Sequence, residues 1–147
     1  MRIAVVCLGN ICRSPMAEVV LRDRLEASGR TDVEVSSAGT GDWHVGEPMD
    51  RRAAATLSRH GYDPSGHRAQ QYDATADYDL VLAMDASNLA DLGGPSARVR
   101  LFRDFDPVGP GDVPDPYFGG DDGFDEVLAI VERVADALQE LPAVEAS

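Results

Sequence analysis

The sequence predicts an α/β domain: a four-stranded parallel sheet flanked by helices on both faces. Short apolar runs at residues 2–6 and 80–84 are too uniformly apolar to leave one face in water, so they read as strands buried on both sides. Apolar residues at helical spacing lie between the strand segments. Strand and helix then alternate along the chain, the pattern of right-handed crossovers in a parallel sheet.

Residues 2–6, all apolar after Arg2, form the first strand. From Ser14 to about Ser28 a helical stripe runs through Ala17, Val20, Leu21 and Leu25, and Gly29 closes it. Val33 to Ser36 alternates and reads as a second strand. Asp50 suits the cap of a helix reaching about His60, with Gly61 at its end. Leu80 to Met84 is the third strand, a short helix over 86–92 follows, and Val99 to Phe102 is a shorter fourth strand. The last helix has the clearest pattern: Phe124, Val127, Leu128, Val131, Val134, Ala135 and Leu138 share one 3.6-period face, which reads as core.

At 147 residues the chain is one domain, long enough to bury about two-thirds of its unfolded surface. The tail after about residue 142 is expected to fray. No run approaches the ~18 apolar residues of a membrane span, and the first residues lack a signal-peptide pattern, so a reducing, cytoplasmic setting is expected. Two cysteines are too few for a disulfide scaffold, and no Cys/His cluster has zinc-ligand spacing.

The formal net charge is −13, and all thirteen basic residues are arginine, which excludes a lysine nucleophile or base. Residues 104–147 hold twelve acids against Arg133 alone. Such a chain is a poor partner for nucleic acid or an anionic membrane.

Cys7-Leu8-Gly9-Asn10-Ile11-Cys12-Arg13-Ser14 lies between the first strand and the first helix, and it carries chemistry. A helix N-terminus presents unpaired amides and a partial positive charge, and a loop of inward-facing amides adds a concave anion nest. Gly9 and Asn10 tolerate the positive φ that such a nest uses. Arg13 supplies planar, bidentate donors matched to phosphate oxygens. Ser14 is suited to cap the helix and Pro15 to occupy its first position. The same field favours the thiolate of Cys7, a nucleophile for phosphorus. A lone cysteine at a strand end is ordinarily a small buried side chain. Cysteine, arginine, serine and proline at this spacing and junction point instead to an anion site.

Residues 7–15, CLGNICRSP, with Met16-Ala17-Glu18 after them, resemble the low-molecular-weight protein tyrosine phosphatases. The resemblance continues through Ser37-Ala38-Gly39, Met84-Asp85-Ala86-Ser87-Asn88 and Asp115-Pro116-Tyr117, and covers essentially the whole chain. It implies a phosphate-binding loop after strand 1, made of Leu8, Gly9, Asn10, Ile11, Cys12 and Ser14 around the catalytic Cys7 and Arg13. It implies hydrolysis of phosphotyrosine through a phosphocysteine, with a phosphotyrosine-containing protein as partner, no cofactor or metal, and a monomer.

By the same resemblance Asp115 is the general acid. Composition alone makes it one of seven aspartates in a Gly- and Pro-rich stretch, 104–125, where an aspartate is ordinarily a turn residue. Asp112, Asp121 and Asp122 are expected to help keep it protonated by like-charge repulsion. Asn10, Ser37 and His67 match a network that braces the loop, and Ser14 matches the hydroxyl facing the nucleophile. Trp43, Tyr117 and Phe118 match the aromatic walls of the cleft, although Phe118 departs from the tyrosine often found there. Cys12 matches a second cysteine that captures oxidised Cys7 as a disulfide. His44 and His60 read as surface or packing residues.

Three other readings remain open at this point. An arsenate reductase on the same fold needs further cysteines, and none follows Cys12. A protein-arginine phosphatase carries a threonine where this chain has Ile11. A non-catalytic phosphopeptide-binding module needs neither the thiol nor the acid.

Overall fold

The computed structural model describes residues 1–120 and 122–140, so the C-terminal tail expected to fray lies outside the described residues. Along the chain run β1 (Arg2–Cys7), α1 (Arg13–Ala27), β2 (Glu34–Gly39), α2 (Arg51–Arg59), β3 (Leu80–Ala83), α3 (Ala86–Asp91), β4 (Val99–Leu101), a 3₁₀ turn (Phe102–Phe105) and α4 (Asp122–Leu138). The four strands pair in the order β2-β1-β3-β4, and every pairing is parallel.

β1 is central because both its faces are apolar. Ile3, Val5 and Cys7 join a large core with Met16, Val20 and Leu21 of α1, Leu57 of α2 and the stripe of α4. Ala4 and Val6 face the other way, with Val81, under Tyr72, Tyr78, Leu92 and Val99. The helices expected on both faces are therefore unequally shared. α1, α2 and α4 build one side, while Leu92 at the end of α3 and the segment 72–78 cover the other. All seven residues of the α4 stripe are buried, the Phe, Val and Leu side chains contributing about 1.5–3 kcal/mol each.

Local differences from the sequence reading have physical causes. β2 runs on to Gly39, past the end of its alternation, because Ser37 and Ala38 are buried beside the loop after β1 rather than patterned for a sheet face. Phe102 leaves the strand for the 3₁₀ turn yet stays fully buried. α1 begins at Arg13 with Cys12 as its N-cap and no side-chain cap, so Ser14 does not cap it. Pro15 is the third helical residue, still within the first turn, where a missing N–H forfeits no helical bond. Asp50 does cap α2, accepting from the amides of Arg52 and Ala53.

β1 pairs with β2 on one side and β3 on the other, so the chain reverses its direction of winding at β1. Ligands of such sheets sit beyond the carboxyl ends of the strands at this switch point, where the Cys7 loop lies. Among the described residues no helix is long and apolar enough to cross a membrane.

Asp106 pins the 3₁₀ turn to α4. Its carboxylate is buried and accepts from Arg103 (3.0 Å) and from two nitrogens of Arg133 (2.9 and 3.0 Å). The Arg133 bonds, outweighing desolvation, hold its pKa at about 2. A carboxyl depressed in the fold stabilises above its unfolded pKa of about 3.9 and ceases to do so as pH falls from there through about 2. Asp106→Asn is expected to cost on the order of 2 kcal/mol near neutrality. In urea titrations the gap between wild type and variant should close progressively from about pH 4 to about pH 2.

Candidate active site

In the loop from Cys7 to Arg13, the carbonyls of Cys7, Leu8, Asn10, Ile11 and Cys12 are received by donors outside its concavity. Thr40 donates its amide to the Cys7 carbonyl (2.9 Å), Gly41 to Leu8 (2.9 Å), Asp50 to Ile11 (2.9 Å) and Met16 to Cys12 (3.1 Å). His67 Nε2 donates to the Asn10 carbonyl at 2.7 Å, which fixes the proton on that nitrogen because a carbonyl only accepts. The amides of Gly9, Ile11, Cys12 and Arg13 are left with no acceptor among the described residues. These are the donors an oxyanion would take.

Asn10 holds this shape. It is fully buried and sits at φ 56°, in the left-handed region that asparagine tolerates better than most residues. Its Oδ1 accepts from the Gln70 amide (3.0 Å), so its Nδ2 is the donor to Ser14 Oγ (2.8 Å) and Ser37 Oγ (2.9 Å). Ser37 in turn donates to Glu18 (2.5 Å), which Arg22 pairs at 2.7 Å. Ser14 Oγ, which accepts from Asn10, lies 3.0 Å from Cys7 Sγ. The Asn10 amide also points at that sulfur, at 3.3 Å. Burial, with Asp50 adding to it, pushes the Cys12 thiol well above the ordinary range.

Arg13 is buried, its side chain 3% exposed. Nη1 donates to Asp85 Oδ2 (2.7 Å) and to the Val113 carbonyl (3.0 Å), while Nη2 lies 3.5 Å from Asp115 Oδ2. Asp85 is itself fixed as the cap of α3, accepting from the Asn88 amide at 2.8 Å.

Above the loop lies a cleft of about 150 Å³ lined by Cys7, Arg13, Asp115, Tyr117, Trp43 and His44, among others. Trp43 is 69% and Phe118 91% exposed, so neither is core. Tyr117 and Phe118 meet edge to face at 4.8 Å. His44, bonded through Nδ1 to Glu47 (2.9 Å), lies over Gly9, where a Cβ would come within 2.9 Å of the imidazole.

A thiol, a guanidinium, free amides and a carboxyl thus open on one aromatic-walled cleft. The family model for low molecular weight phosphotyrosine protein phosphatase matches residues 2–146. A low molecular weight protein-tyrosine-phosphatase of Streptomyces coelicolor is 48% identical, covering 93% of this chain and 90% of its own. Low molecular weight protein-tyrosine phosphatase A of Mycobacterium tuberculosis is 45% identical over 95% and 90%. The crystal structure of a protein tyrosine phosphatase from Entamoeba histolytica, with Hepes in its active site, superposes with a TM-score of 0.87 at 32% identity, covering 94% of each chain. The chain belongs to this family.

As a low molecular weight phosphatase, the chain is a cysteine-dependent enzyme of a metal-independent class. The structure brings Cys7, Leu8, Gly9, Ile11, Cys12, Arg13, Asp115, Trp43, Tyr117 and Phe118 around one opening, and puts Asn10, Ser14, Ser37 and His67 behind it. His44, read from the sequence as a surface or packing residue, lines the cleft instead. His60 stays outside, 3.6 Å from Asp125. Of the acidic neighbours named for Asp115, Asp112 accepts from the Ala86 amide, Asp122 opens α4, and Asp121 lies outside the described residues. The charged contact of Asp115 is Arg13.

Three supports of this phosphatase site escaped the sequence reading as functional residues. Glu18 and Gln70 brace Asn10 and Ser37 through hydrogen bonds between residues 19 to 60 positions apart, which no local pattern signals. Arg52 reaches from α2 to the carbonyls of Tyr117 (2.8 Å) and Gly119 (3.3 Å), tying the segment after Asp115 to the helix that Asp50 caps. Gly39 is required by close approach: a Cβ there would lie 2.8 Å from the Leu8 carbonyl oxygen and 3.2 Å from the Asn10 nitrogen, both rigid backbone. Gly39→Ala is expected to push the loop out of shape. It should weaken inorganic phosphate binding at least tenfold by calorimetry and destabilise the fold by about 1–3 kcal/mol.

Proposed function

We propose that this phosphatase hydrolyses phosphotyrosine in protein substrates, and small aryl phosphates, through a phosphocysteine formed on Cys7. The convergence of Cys7, the unpaired loop amides, Arg13 and Asp115 on a single cleft supports this reading. The aryl ring enters between the aromatic side chains, where stacking adds about 0.5–1.5 kcal/mol to burial. Ile11, lining the cleft, gives the ring an apolar floor.

In the first step the Cys7 thiolate attacks phosphorus in line, forming the S–P bond as the P–O bond to the tyrosine breaks. The loop amides and Arg13 Nη2 hold the three non-bridging oxygens, whose charge is spread in the transition state. Asp115, beside Arg13 at the cleft mouth, gives its proton to the departing phenolic oxygen. Ser14 donates to Sγ and so stabilises the sulfur anion when it is next the leaving group. In the second step the Asp115 carboxylate takes a proton from water. The resulting oxygen attacks phosphorus, the S–P bond breaks, and inorganic phosphate leaves.

Chemistry on a free thiol suits a reducing compartment, so the enzyme is taken to act in the cytoplasm. One chain supplies every group named, so a monomer suffices. Cys12, held as a thiol, is read as the group that captures Cys7 sulfenic acid: S–OH and S–H give S–S and water.

Phosphate release from a phosphotyrosine peptide tests the assignment. Cys7→Ser should abolish turnover. Asp115→Asn should lower kcat by about 10²–10⁴-fold on tyrosine esters and less on p-nitrophenyl phosphate, whose leaving group needs no proton. Equal losses on both substrates would remove Asp115 as the acid. After brief peroxide treatment, dithiothreitol should restore wild type but not Cys12→Ser; equal recovery would remove the protective role.

A further inference from the structure

A second groove adjoins the catalytic cleft. It is lined by Leu8, Thr40, Gly41, Trp43, Tyr72, Asp91 and Leu92 and measures about 470 Å³. Leu8 and Trp43 line both hollows, so the two adjoin at the indole. Its lining carries a single charge, the Asp91 carboxylate, and no basic residue. That carboxylate is oriented, accepting from Thr40 Oγ1 at 3.3 Å.

We infer that this groove is the subsite for an arginine or lysine lying one or two residues from the phosphotyrosine, which makes the enzyme selective for basic-flanked sites. The inference rests on the phosphotyrosine reading above. With the tyrosine ring in the cleft, an extended peptide advances about 3.3–3.6 Å per residue, which carries the neighbouring residue across Trp43 and Leu8. A long basic side chain has the matching shape. Its methylene stem lies along Leu8, Leu92 and Trp43, and its charged head reaches the exposed end of the groove at Asp91. Trp43 and Tyr72 supply π faces to the same cation. An acidic neighbour would set like charge against Asp91 and is disfavoured. An alanine would leave the groove unused.

The test compares three phosphotyrosine peptides identical except for arginine, alanine or glutamate beside the phosphotyrosine. Wild type should show kcat/KM in the order arginine, alanine, glutamate. Arginine should lead alanine about three- to tenfold at low salt and by less at 0.5 M, as screening demands. Asp91→Asn should bring the arginine peptide down to the alanine value, and Asp91→Arg should invert the order. Both should keep wild-type turnover of p-nitrophenyl phosphate, which has no flanking residue and verifies an intact catalytic centre. Asp136→Asn makes the same charge change on α4, in a pair with Arg24, and should leave the preference untouched.

Three results would overturn the subsite: no preference in wild type, a preference that survives Asp91→Asn, or one that Asp136→Asn erodes equally, which would assign it to net charge. Loss of the underlying reading looks different, since wild type would then release phosphate from none of the peptides.

Discussion

For the amides of a short loop to converge on an anion, the carbonyls of the same peptide units must be satisfied outside it. That constraint organises the molecule around residues 7–13. The receiving donors come from four places: the extension of β2 at Thr40 and Gly41, the N-cap of α2 at Asp50, the imidazole of His67 and the second turn of α1 at Met16. An unpartnered buried carbonyl costs about 1–3 kcal/mol, more than a typical hydrogen bond contributes net, so each donor closes off an alternative loop conformation. Asp50 does this twice over, its amide holding the loop while its carboxylate starts α2. Asn10 bears the strain, and its three side-chain hydrogen bonds offset the roughly 1–2 kcal/mol of a left-handed residue.

Arg13 solves a related problem. A buried guanidinium without a partner would be untenable, yet one fully saturated by carboxylates would have nothing to offer a ligand. Its two terminal nitrogens divide the tasks. Nη1 is committed to Asp85 and the Val113 carbonyl, which fixes the plane of the group and neutralises part of its charge. Nη2 faces the cleft beside Asp115. The fold and the chemistry thus draw on different ends of one side chain. Asp85 is what makes that division possible, because capping α3 fixes its own direction.

What the sequence made legible follows from how local each signal is. The α4 stripe, the apolar runs of β1 and β3 and the Asp50 cap are set by residues a few positions apart, and they could be read directly. So could the loop, whose residue types meet the needs of an anion nest within eight positions. Glu18, Gln70 and Arg52 could not. Each is an ordinary polar residue, and its partner is brought to it only by the packing of α1 on β2, the pairing of residues 70–72 with Gly39, or the approach of α2 to the segment after Asp115. Ser14 shows how a local rule misleads. Serine before proline is a familiar helix start, but here the hydroxyl is claimed by Cys7 and Asn10, and the helix opens without a side-chain cap. His44 misled for the opposite reason: a lone histidine in a loop carries no pattern, and only its seat over Gly9 brings it to the cleft.

A net charge of −13 disfavours an anionic substrate only until the charges are weighed by distance. One guanidinium about 4 Å from a phosphate oxygen contributes about 4 kcal/mol per unit charge at the effective dielectric of a partly buried site. A carboxylate ~20 Å away across water opposes it by about 0.2 kcal/mol, which screening over ~8 Å reduces to a few hundredths. A dozen such carboxylates together remain below the contribution of Arg13 alone. The acidic surface therefore leaves phosphate binding to the loop and acts where its range is felt, on the residues around the phosphate. Asp91, on the lining of the groove that shares Leu8 and Trp43 with the cleft, is the carboxylate that a flanking side chain would meet there.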